Sequence, residues 1–207
     1  MQSDHPVLSG RHVRLEPLAL GHADNLAAAA AIDPGLYQWS MVPQGKIQVR
    51  RYIETARSWH EAGSALAFAI VRTADGTVIG STRFFDLEHW GWPEGHARHH
   101  RAAPDAGEIG YTWLTRQAVR TAANTEAKLL LLSHAFETWR MLRVCFHTDV
   151  RNQRSRNALQ RIGANFEGIL RAHRLATDQI ARDSARYSIV ESEWPAVKMH
   201  LLQLLGY

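Results

Sequence analysis

Residues 108–150 read EIGYTWLTRQAVRTAANTEAKLLLLSHAFETWRMLRVCFHTDV, and this stretch decides the fold. It begins with a β-prone strand at 108–114 and ends with another at 143–150, and between them a helix starts around Asn124. The apolar face of that helix consists of Leu129, Leu132, Phe136 and Trp139, with Leu131 and Ala135 beside them. A strand, a helix and a strand form one right-handed crossover, so we expect the two strands to lie parallel.

Strands and helices alternate on both sides of this unit. The other predicted elements are a strand at 13–17, a helix from 21 onward, a helix at 47–62, a hairpin of 65–71 and 78–85 around Asp75-Gly76, a helix at 153–162 ending at Gly163, strands near 166–173 and 186–191, and a last helix with Pro195 in its first turn. This order predicts the α/β (mixed α+β) class, as one domain over residues 1–207 with a mixed sheet and helices on both faces.

The composition is that of a folded protein with a sizeable core. Of the 207 residues, 45% are hydrophobic and 21% are charged, which suits one ordinary domain. The single cysteine, Cys145, excludes an intramolecular disulfide framework. No run approaches the ~20 apolar residues of a membrane-spanning helix, and the first residues do not resemble a signal peptide. We therefore expect a soluble, cytoplasmic protein with no membrane partner.

The positive charge of the chain is unevenly distributed. The formal net charge is +4, and residues 140–186 hold ten arginines against four acidic residues. Arginine favours bidentate phosphate contacts, so this region indicates an anionic ligand. A preference for arginine on solvent-exposed faces would give the same uneven distribution of charge. The region has no recognised nucleic-acid motif and no interleaved aromatic residues, so we expect no nucleic-acid partner.

Between residues 86 and 107 the pattern of strands and helices breaks. Trp90 and Trp92 lie there, close to the histidine pair at 99–100. Paired histidines can bind a metal, but no cysteine or matched set of carboxylates accompanies them. We expect a solvated loop and no metal site. If the loop has a function, its aromatic residues and its place after the hairpin indicate substrate contact.

Familiar catalytic fingerprints are missing from the sequence. It contains no dinucleotide or P-loop glycine motif and no G-x-S-x-G elbow. Cys145 lies in a predicted strand, where a small core residue is more common than a nucleophile. The loop before the central helix carries Arg116 and Arg120, and a helix N-terminus offers unpaired N–H groups to a phosphate. An ordinary crossover loop with solvent-facing arginines would look the same.

An ordered series of motifs resembles the GNAT acetyltransferase superfamily and covers nearly the whole chain. The residues that carry it are Glu108–Leu114, then Asn124-Thr125-Glu126-Ala127 and His134-Ala135-Phe136-Glu137, then Asp149, Asn152 and Ser155 ahead of Arg161-Ile162-Gly163-Ala164, and Glu167-Gly168. The segment 8–18 is similar to the opening of the ribosomal-protein N-terminal (RimJ/RimL-type) acetyltransferase branch.

The resemblance implies a GNAT-type fold, in which a mixed, mostly antiparallel sheet of about seven strands has two parallel strands splayed around acetyl-CoA, the co-substrate. The pantetheine arm of acetyl-CoA would pair with the backbone of Tyr111, Thr112, Trp113 and Leu114. The pyrophosphate would bind the N–H groups of Arg120, Thr121, Ala122, Ala123, Asn124 and Thr125. Asn152 would hold the pantetheine chain, and Ser155 would lie near the sulfur.

The pyrophosphate loop departs from the family pattern. That pattern has Gln or Arg, two further residues, Gly, one residue, and then Gly or Ala. The aligned residues 119–124 are Val-Arg-Thr-Ala-Ala-Asn, so Ala122 stands in place of the glycine. Glycine allows close backbone approach and a positive φ. Because alanine is the smallest substitute, we expect the cradle to persist, and the strength of coenzyme A binding stays open.

Transfer from a thioester to an amine needs two proton transfers, since the amine must lose a proton and the leaving thiolate gains one. The resemblance places Ser155 as the proton donor, although a serine there also suits a helix N-cap. Glu108 and His173 are the candidate bases, with Glu108 preferred, and either residue could instead be structural. Asp183 is a candidate for orienting the amine.

We therefore expect an acetyl-CoA-dependent N-acetyltransferase in which the amine attacks the thioester directly. The acceptor would be a protein N-terminus or a small-molecule amine. A hypothesis of a different class is a catalytically silent acyl-CoA sensor with the same fold. The sequence leaves a homodimer open.

Overall fold

The computed structural model describes residues 5–207 and places every described strand in one sheet. Its strands are β1 (Leu8–Ser9), β2 (Val13–Pro17), β3 (Leu66–Arg72), β4 (Val78–Glu88), β5 (Ala106–Leu114), β6 (Arg143–Asp149), β7 (Asn165–Leu175) and β8 (Ala181–Val190), in the order β1-β2-β3-β4-β5-β6-β8-β7. Its α-helices are α1 (Ala23–Ala31), α2 (Gly45–Glu61), α3 (Ala122–Ser133), α4 (Gln153–Arg161) and α5 (Trp194–Leu205). A π-helical turn, His134–Thr138, follows α3.

The strands β5 and β6 run parallel, which confirms the prediction of a crossover between them. Every other neighbouring pair in residues 5–207 is antiparallel. The parallel pairing covers only Ala106–Glu108 against Arg143–Cys145, and beyond it the two strands separate. The mostly antiparallel sheet confirms the predicted fold class. Its eight strands exceed the expected seven because β1 is an extra strand of two residues.

Two predicted boundaries are wrong. The helix α3 begins at Ala122, before Asn124, because the Thr121 side chain caps it by accepting from the Ala123 N–H at 3.2 Å. The strand β8 begins at Ala181 and not at 186. The first residues of β8 are mostly polar, so the sequence pattern does not identify them as a strand. They form one because β8 lies between β6 and β7, where Ser184 is fully buried.

The other predicted elements are confirmed. Both hairpin strands, the strand at 13–17 and the helices α1, α2 and α4 lie where the periodicity places them. Gly163 ends the α4 segment with a left-handed φ of 88°. Pro195 occupies the first turn of α5, where its missing N–H costs no hydrogen bond.

The sheet separates two hydrophobic clusters, one on each face. The helices α3, α4 and α5 pack on one face, through residues such as Leu132, Leu159 and Leu201. The predicted apolar residues of the α3 segment are all buried: Leu129, Leu131, Leu132, Ala135, Phe136 and Trp139. The helices α1 and α2 cover the other face. The sheet is therefore covered on both sides, as the predicted class requires.

The segment between β4 and β5 is a loop, as predicted. It is held by polar contacts, since the Trp90 N–H donates to Asp105 at 2.9 Å and Arg98 donates to the Arg140 carbonyl at 2.7 Å. Within residues 5–207, Trp90 and Trp92 lie outside the lining of both cavities described below, so the suggested substrate contact has no support. None of the described helices is long and apolar enough to cross a membrane.

Candidate active site

A cleft of about 310 Å³ opens where β5 and β6 separate. Strands β5 and β6 and helices α3 and α4 line it, together with residues 39–42 and 174–177. The predicted site residues in its lining are Glu108, Tyr111, Thr112, Trp113, Asn124, Asn152 and Ser155. Those outside the lining are Leu114, Arg120, Thr121, Ala122, Ala123, Thr125 and His173. The fold thus gathers half of the predicted residues around one opening.

A β-bulge interrupts β5 at the cleft. Ser81 pairs with Trp113 and Arg83 pairs with Gly110, so Tyr111 and Thr112 together oppose a single residue of β4. Tyr111 has a positive φ of 50°. A bulge bends the strand that carries it and locally breaks the ladder. This irregularity falls in the part of β5 that lines the cleft.

The N-terminus of α3 points its first N–H groups away from the helix, where they have no intrahelical partner. The positive φ in this loop belongs to Arg120, at 63°, and not to Ala122, which is the first helical residue. The glycine that the family pattern places at 122 is therefore not required by the backbone. Thr125 is buried and accepts a hydrogen bond from Arg161 at 2.9 Å, so its side chain is already engaged.

Asn152, and not Ser155, caps α4. The Asn152 side chain is buried, and its Oδ1 accepts from the Ser155 N–H at 3.1 Å. The alternative of Ser155 as the helix cap is therefore wrong. The Ser155 side chain lines the cleft and is available for another role.

Buried acid and base groups lie at one side of the cleft. The Glu108 side chain is 4% exposed, and its Oε2 accepts from His147 Nδ1 at 2.8 Å and from Arg174 at 2.9 Å. Arg174 also contacts Asp86 at 2.9 Å. Glu108 thus shares one oxygen between a histidine and a guanidinium group, and both of these partners line the cleft.

His173 lines a second, smaller cavity beside this group. That cavity measures about 180 Å³, and Glu108, His147 and Arg174 line both cavities. The rings of His147 and His173 are 4.8 Å apart. Burial, followed by the nearby positive charge of Arg174, lowers the pKa of His173. Of the two predicted bases, Glu108 lines both cavities, whereas His173 lines only the smaller one.

The family model of the acetyltransferase (GNAT) domain matches residues 12–165. The chain belongs to the GNAT acetyltransferase family. Among solved structures, it is 35% identical to a provisionally assigned acetyltransferase from T. thermophilus, covering 99% of this chain and 100% of that one with a TM-score of 0.80. It is 27% identical to a GCN5-related N-acetyltransferase from Brucella melitensis, covering 98% and 86% with a TM-score of 0.82.

RimJ of Mycobacterium smegmatis, solved with a CoA disulfide, is 22% identical, with coverage of 97% and 91% and a TM-score of 0.77. At that identity the likeness concerns the fold, and it agrees with the predicted RimJ/RimL-type resemblance. No curated protein has a sequence significantly similar to this GNAT chain.

A buried lysine, Lys128, completes the α3 wall of the GNAT cleft. Its Nζ donates to Thr112 Oγ1 at 2.8 Å, and Thr112 Oγ1 lies 2.8 Å from Thr82 Oγ1. Burial lowers the pKa of Lys128 to about 7. An amine with that pKa changes its charge near neutral pH, directly beside the β5 bulge.

Most of the clustered arginines bind partners within the GNAT domain. Arg151 contacts Asp149 at 2.7 Å and Asp178 at 2.9 Å, and Arg154 donates to the Leu36 carbonyl. Arg156 donates to the Tyr187 hydroxyl at 3.3 Å. None of these three arginines lines the cleft, where the lining arginines among the described residues are Arg174 and Arg182. The cluster is therefore largely a set of internal contacts.

Sequence reasoning missed His147, Arg174 and Lys128. For His147 the sequence offers a partial signal, because it lies on the predicted strand 143–150 and shares a face with Cys145. That this face meets Glu108 follows only from the register of the parallel pair in the structure. Asp183, the candidate for orienting the amine, accepts from the Ala172 N–H at 2.8 Å and lines neither cavity within the described residues. No group of His, Cys, Asp and Glu within residues 5–207 could hold a metal ion.

Proposed function

We propose that this GNAT protein is an acetyl-CoA-dependent N-acetyltransferase whose single domain transfers an acetyl group to a primary amine. The observation that carries this proposal is the cleft between the separating parallel strands β5 and β6, with buried acid and base groups in its wall. Acetyl-CoA supplies the activated acetyl group as a thioester. The cytoplasmic location predicted from the sequence is part of the proposal.

The residues around the cleft suit a long anionic thioester. The bulged backbone at Tyr111 and Thr112 breaks the β ladder, which leaves peptide groups for the pantetheine arm. The N-terminus of α3 suits the pyrophosphate through its N–H groups and its dipole. Asn152 uses Oδ1 to cap α4, and its Nδ2 donors are left for the pantetheine carbonyls.

The reaction also needs proton transfers at the acetyl end of the cleft. Ser155 lines the cleft and carries no capping bond, which supports its role as the proton donor to the thiolate. The group around Glu108 supplies the base, for which the sequence analysis gives Glu108 and His173 as candidates. The catalytic roles of Ser155, Glu108 and His173 are part of this proposal.

The acceptor is proposed to be a protein N-terminal amine or a small-molecule amine. RimL, a ribosomal L7/L12 α-N-protein acetyltransferase solved with coenzyme A, has a similar fold at 16% identity with a TM-score of 0.73, which supports the first choice. The cleft of about 310 Å³ is also compatible with a small amine. A panel that contains both short peptides with free N-termini and free amino acids separates these substrate classes. The class with the higher kcat/KM identifies the acceptor.

The first experiment measures cofactor binding and turnover separately. Acetyl-CoA at a concentration about 100 times its Kd is expected to raise the Tm by about 5 °C or more, because a ligand that binds only the folded state stabilises it. The amine panel is then expected to release free thiol with at least one acceptor. Absence of a Tm shift at millimolar acetyl-CoA contradicts the whole proposal. A shift without thiol release from any amine indicates an acyl-CoA sensor.

A further inference from the structure

We propose that His147 is the base that takes the proton from the acceptor amine, and that Glu108 positions its ring. The inference rests on the proposed N-acetyltransferase function and deepens it. His147 lies in the middle of β6, its side chain is 8% exposed, and it lines the cleft. Its Nδ1 contacts Glu108 Oε2 at 2.8 Å.

The chemistry of the contact fixes the tautomer of His147. A carboxylate only accepts hydrogen bonds, so the hydrogen on neutral His147 must be on Nδ1. The second nitrogen, Nε2, then carries a lone pair. Nε2 is buried and has no hydrogen-bond partner within the described residues. A buried acceptor without a partner is costly, so this atom is suited to receive a proton from a ligand.

Glu108 is less suited to accept that proton itself. Its Oε2 already accepts from His147 and from Arg174, so a proton added there would displace one of these donors. His173 is also less suited, because it lines the smaller cavity and not the cleft. A histidine held by a carboxylate through one nitrogen and free at the other is the arrangement of an oriented base.

The acetyl group moves by direct attack of the amine on the thioester. The acceptor enters as an ammonium ion and gives one proton to His147 Nε2, from which it passes to solvent. The amine nitrogen forms a bond to the thioester carbonyl carbon, and the C–S bond breaks with its electron pair moving to sulfur. The nitrogen's second proton reaches the sulfur through the Ser155 hydroxyl, which gives its own proton to the thiolate and takes the nitrogen's proton in return. The products are the N-acetyl amine and coenzyme A thiol.

Charged groups surround His147 from every neighbouring element. Glu108 on β5 is the acid in hydrogen-bond contact with it. The other titratable and charged groups that line the same two cavities are Asp86 and Glu88 on β4, Tyr111 on β5, Lys128 on α3, Cys145 on β6, His173 and Arg174 on β7, and Arg182 and Arg186 on β8. A pH profile alone therefore does not identify the base, so the test compares variants.

The decisive variant is His147→Gln, measured as kcat and KM against pH. We expect kcat to fall at least 100-fold at neutral pH and the loss to shrink as the pH rises, because the free amine then no longer needs a base. Glu108→Gln is expected to lower kcat by a smaller factor. The fall of kcat toward acidic pH, which is the acidic limb of the profile, should move along the pH axis and still be present. His173→Gln is expected to keep that limb.

A matched control is available in the same chain. His22 Nε2 lies 3.1 Å from Glu16 Oε2, in a histidine–glutamate pair outside both cavities. His22→Gln is expected to leave kcat, KM and the pH profile within twofold of the wild type. Acetyl-CoA binding, measured by the Tm shift, is expected to persist in all these variants. A variant that keeps the shift and loses turnover has lost the base, whereas a variant that loses the shift has lost the fold of the site.

Nuclear magnetic resonance of the imidazole nitrogens gives a readout that needs no activity. We expect His147 to carry its hydrogen on Nδ1 in the wild type and to lose that preference in Glu108→Gln. An Nε2–H tautomer in the wild type overturns the inference. If the wild type is active and His147→Gln has the same kcat, the inference about His147 is overturned and the proposed function is not affected. A wild type that releases no thiol from any amine overturns both.

Discussion

Lys128 places an amine in the core, where it donates a hydrogen bond to the Thr112 hydroxyl group at 2.8 Å. Burial disfavours the charged form, which is why its pKa falls to about 7 from the ordinary value of 10.5. Between these two values the unfolded chain holds a proton that the folded chain has released. The free energy of unfolding therefore rises with pH between about 7 and 10.5. Below pH 7 the folded chain bears the full cost of burying the charged amine.

Replacing Lys128 with methionine removes this penalty. Lys128→Met is expected to raise the free energy of unfolding by a few kcal/mol at pH 7, with the gain shrinking toward pH 10. Urea unfolding at several pH values measures the difference. Lys46→Met is the control, because the Lys46 side chain is 74% exposed and pairs with Asp24 on the surface. A gain that stays constant with pH contradicts the buried, neutral lysine.

At the scale of elements, helix α4 depends on Asn152 for its first turn. The Oδ1 atom caps the helix, whereas the amide group is proposed to bind the pantetheine chain. Asn152→Ala is expected to cost about 1 kcal/mol of stability through loss of the cap. Asn152→Asp keeps a capping oxygen and should retain the stability of the wild type. Both variants are expected to weaken acetyl-CoA binding about tenfold or more.

Unfolding in urea and calorimetric titration with acetyl-CoA separate the two functions of this residue. Tight acetyl-CoA binding by Asn152→Asp contradicts the role of the amide donors. A large loss of stability in that variant contradicts the capping role. Ser155 is unchanged in both variants, so the proposed proton donor stays in place.

The elements were largely predictable because their signals are local. Gly163 and Pro195 mark helix ends by backbone chemistry alone, and the alternation of β6 identifies it as a strand. The contact between Glu108 and His147 was not predictable in the same way, since it joins residues 39 positions apart. It requires the register of the parallel pair, in which Glu108 lies opposite Cys145. The same reason applies to Arg174, whose acid partners lie on β4 and β5.

At the scale of the whole molecule, Glu126 joins three distant parts of the chain. Its carboxylate accepts from the backbone N–H groups of Arg11, His12 and Val13 at 2.9, 2.6 and 2.6 Å, and from the Tyr207 hydroxyl at 2.7 Å. A Cβ at Gly10 would lie 2.4 Å from the Glu126 carboxyl carbon, so glycine is needed for this approach. The contact fixes α3 against the first strands.

Glu126→Gln is expected to lower the free energy of unfolding by about 2–4 kcal/mol, because an amide group would then face backbone donors that need an acceptor. Tyr207→Phe removes only one of the four hydrogen bonds to Glu126, so we expect the free energy of unfolding to fall by about 1 kcal/mol. Urea unfolding of both variants gives the comparison. Equal losses in the two variants would mean that the backbone contacts of Glu126 contribute little.

The position of β8 between β6 and β7 has a consequence for synthesis of the protein. The ribosome releases β7 before β8, so β7 has no neighbouring strand until residues 181–190 emerge. Until then β6 presents an open edge, and such an edge can pair with other chains. Arg174 and Arg182 of the cleft belong to these two late strands. A nascent chain therefore acquires the complete cleft only after the residues of β8, up to Val190, have left the ribosome.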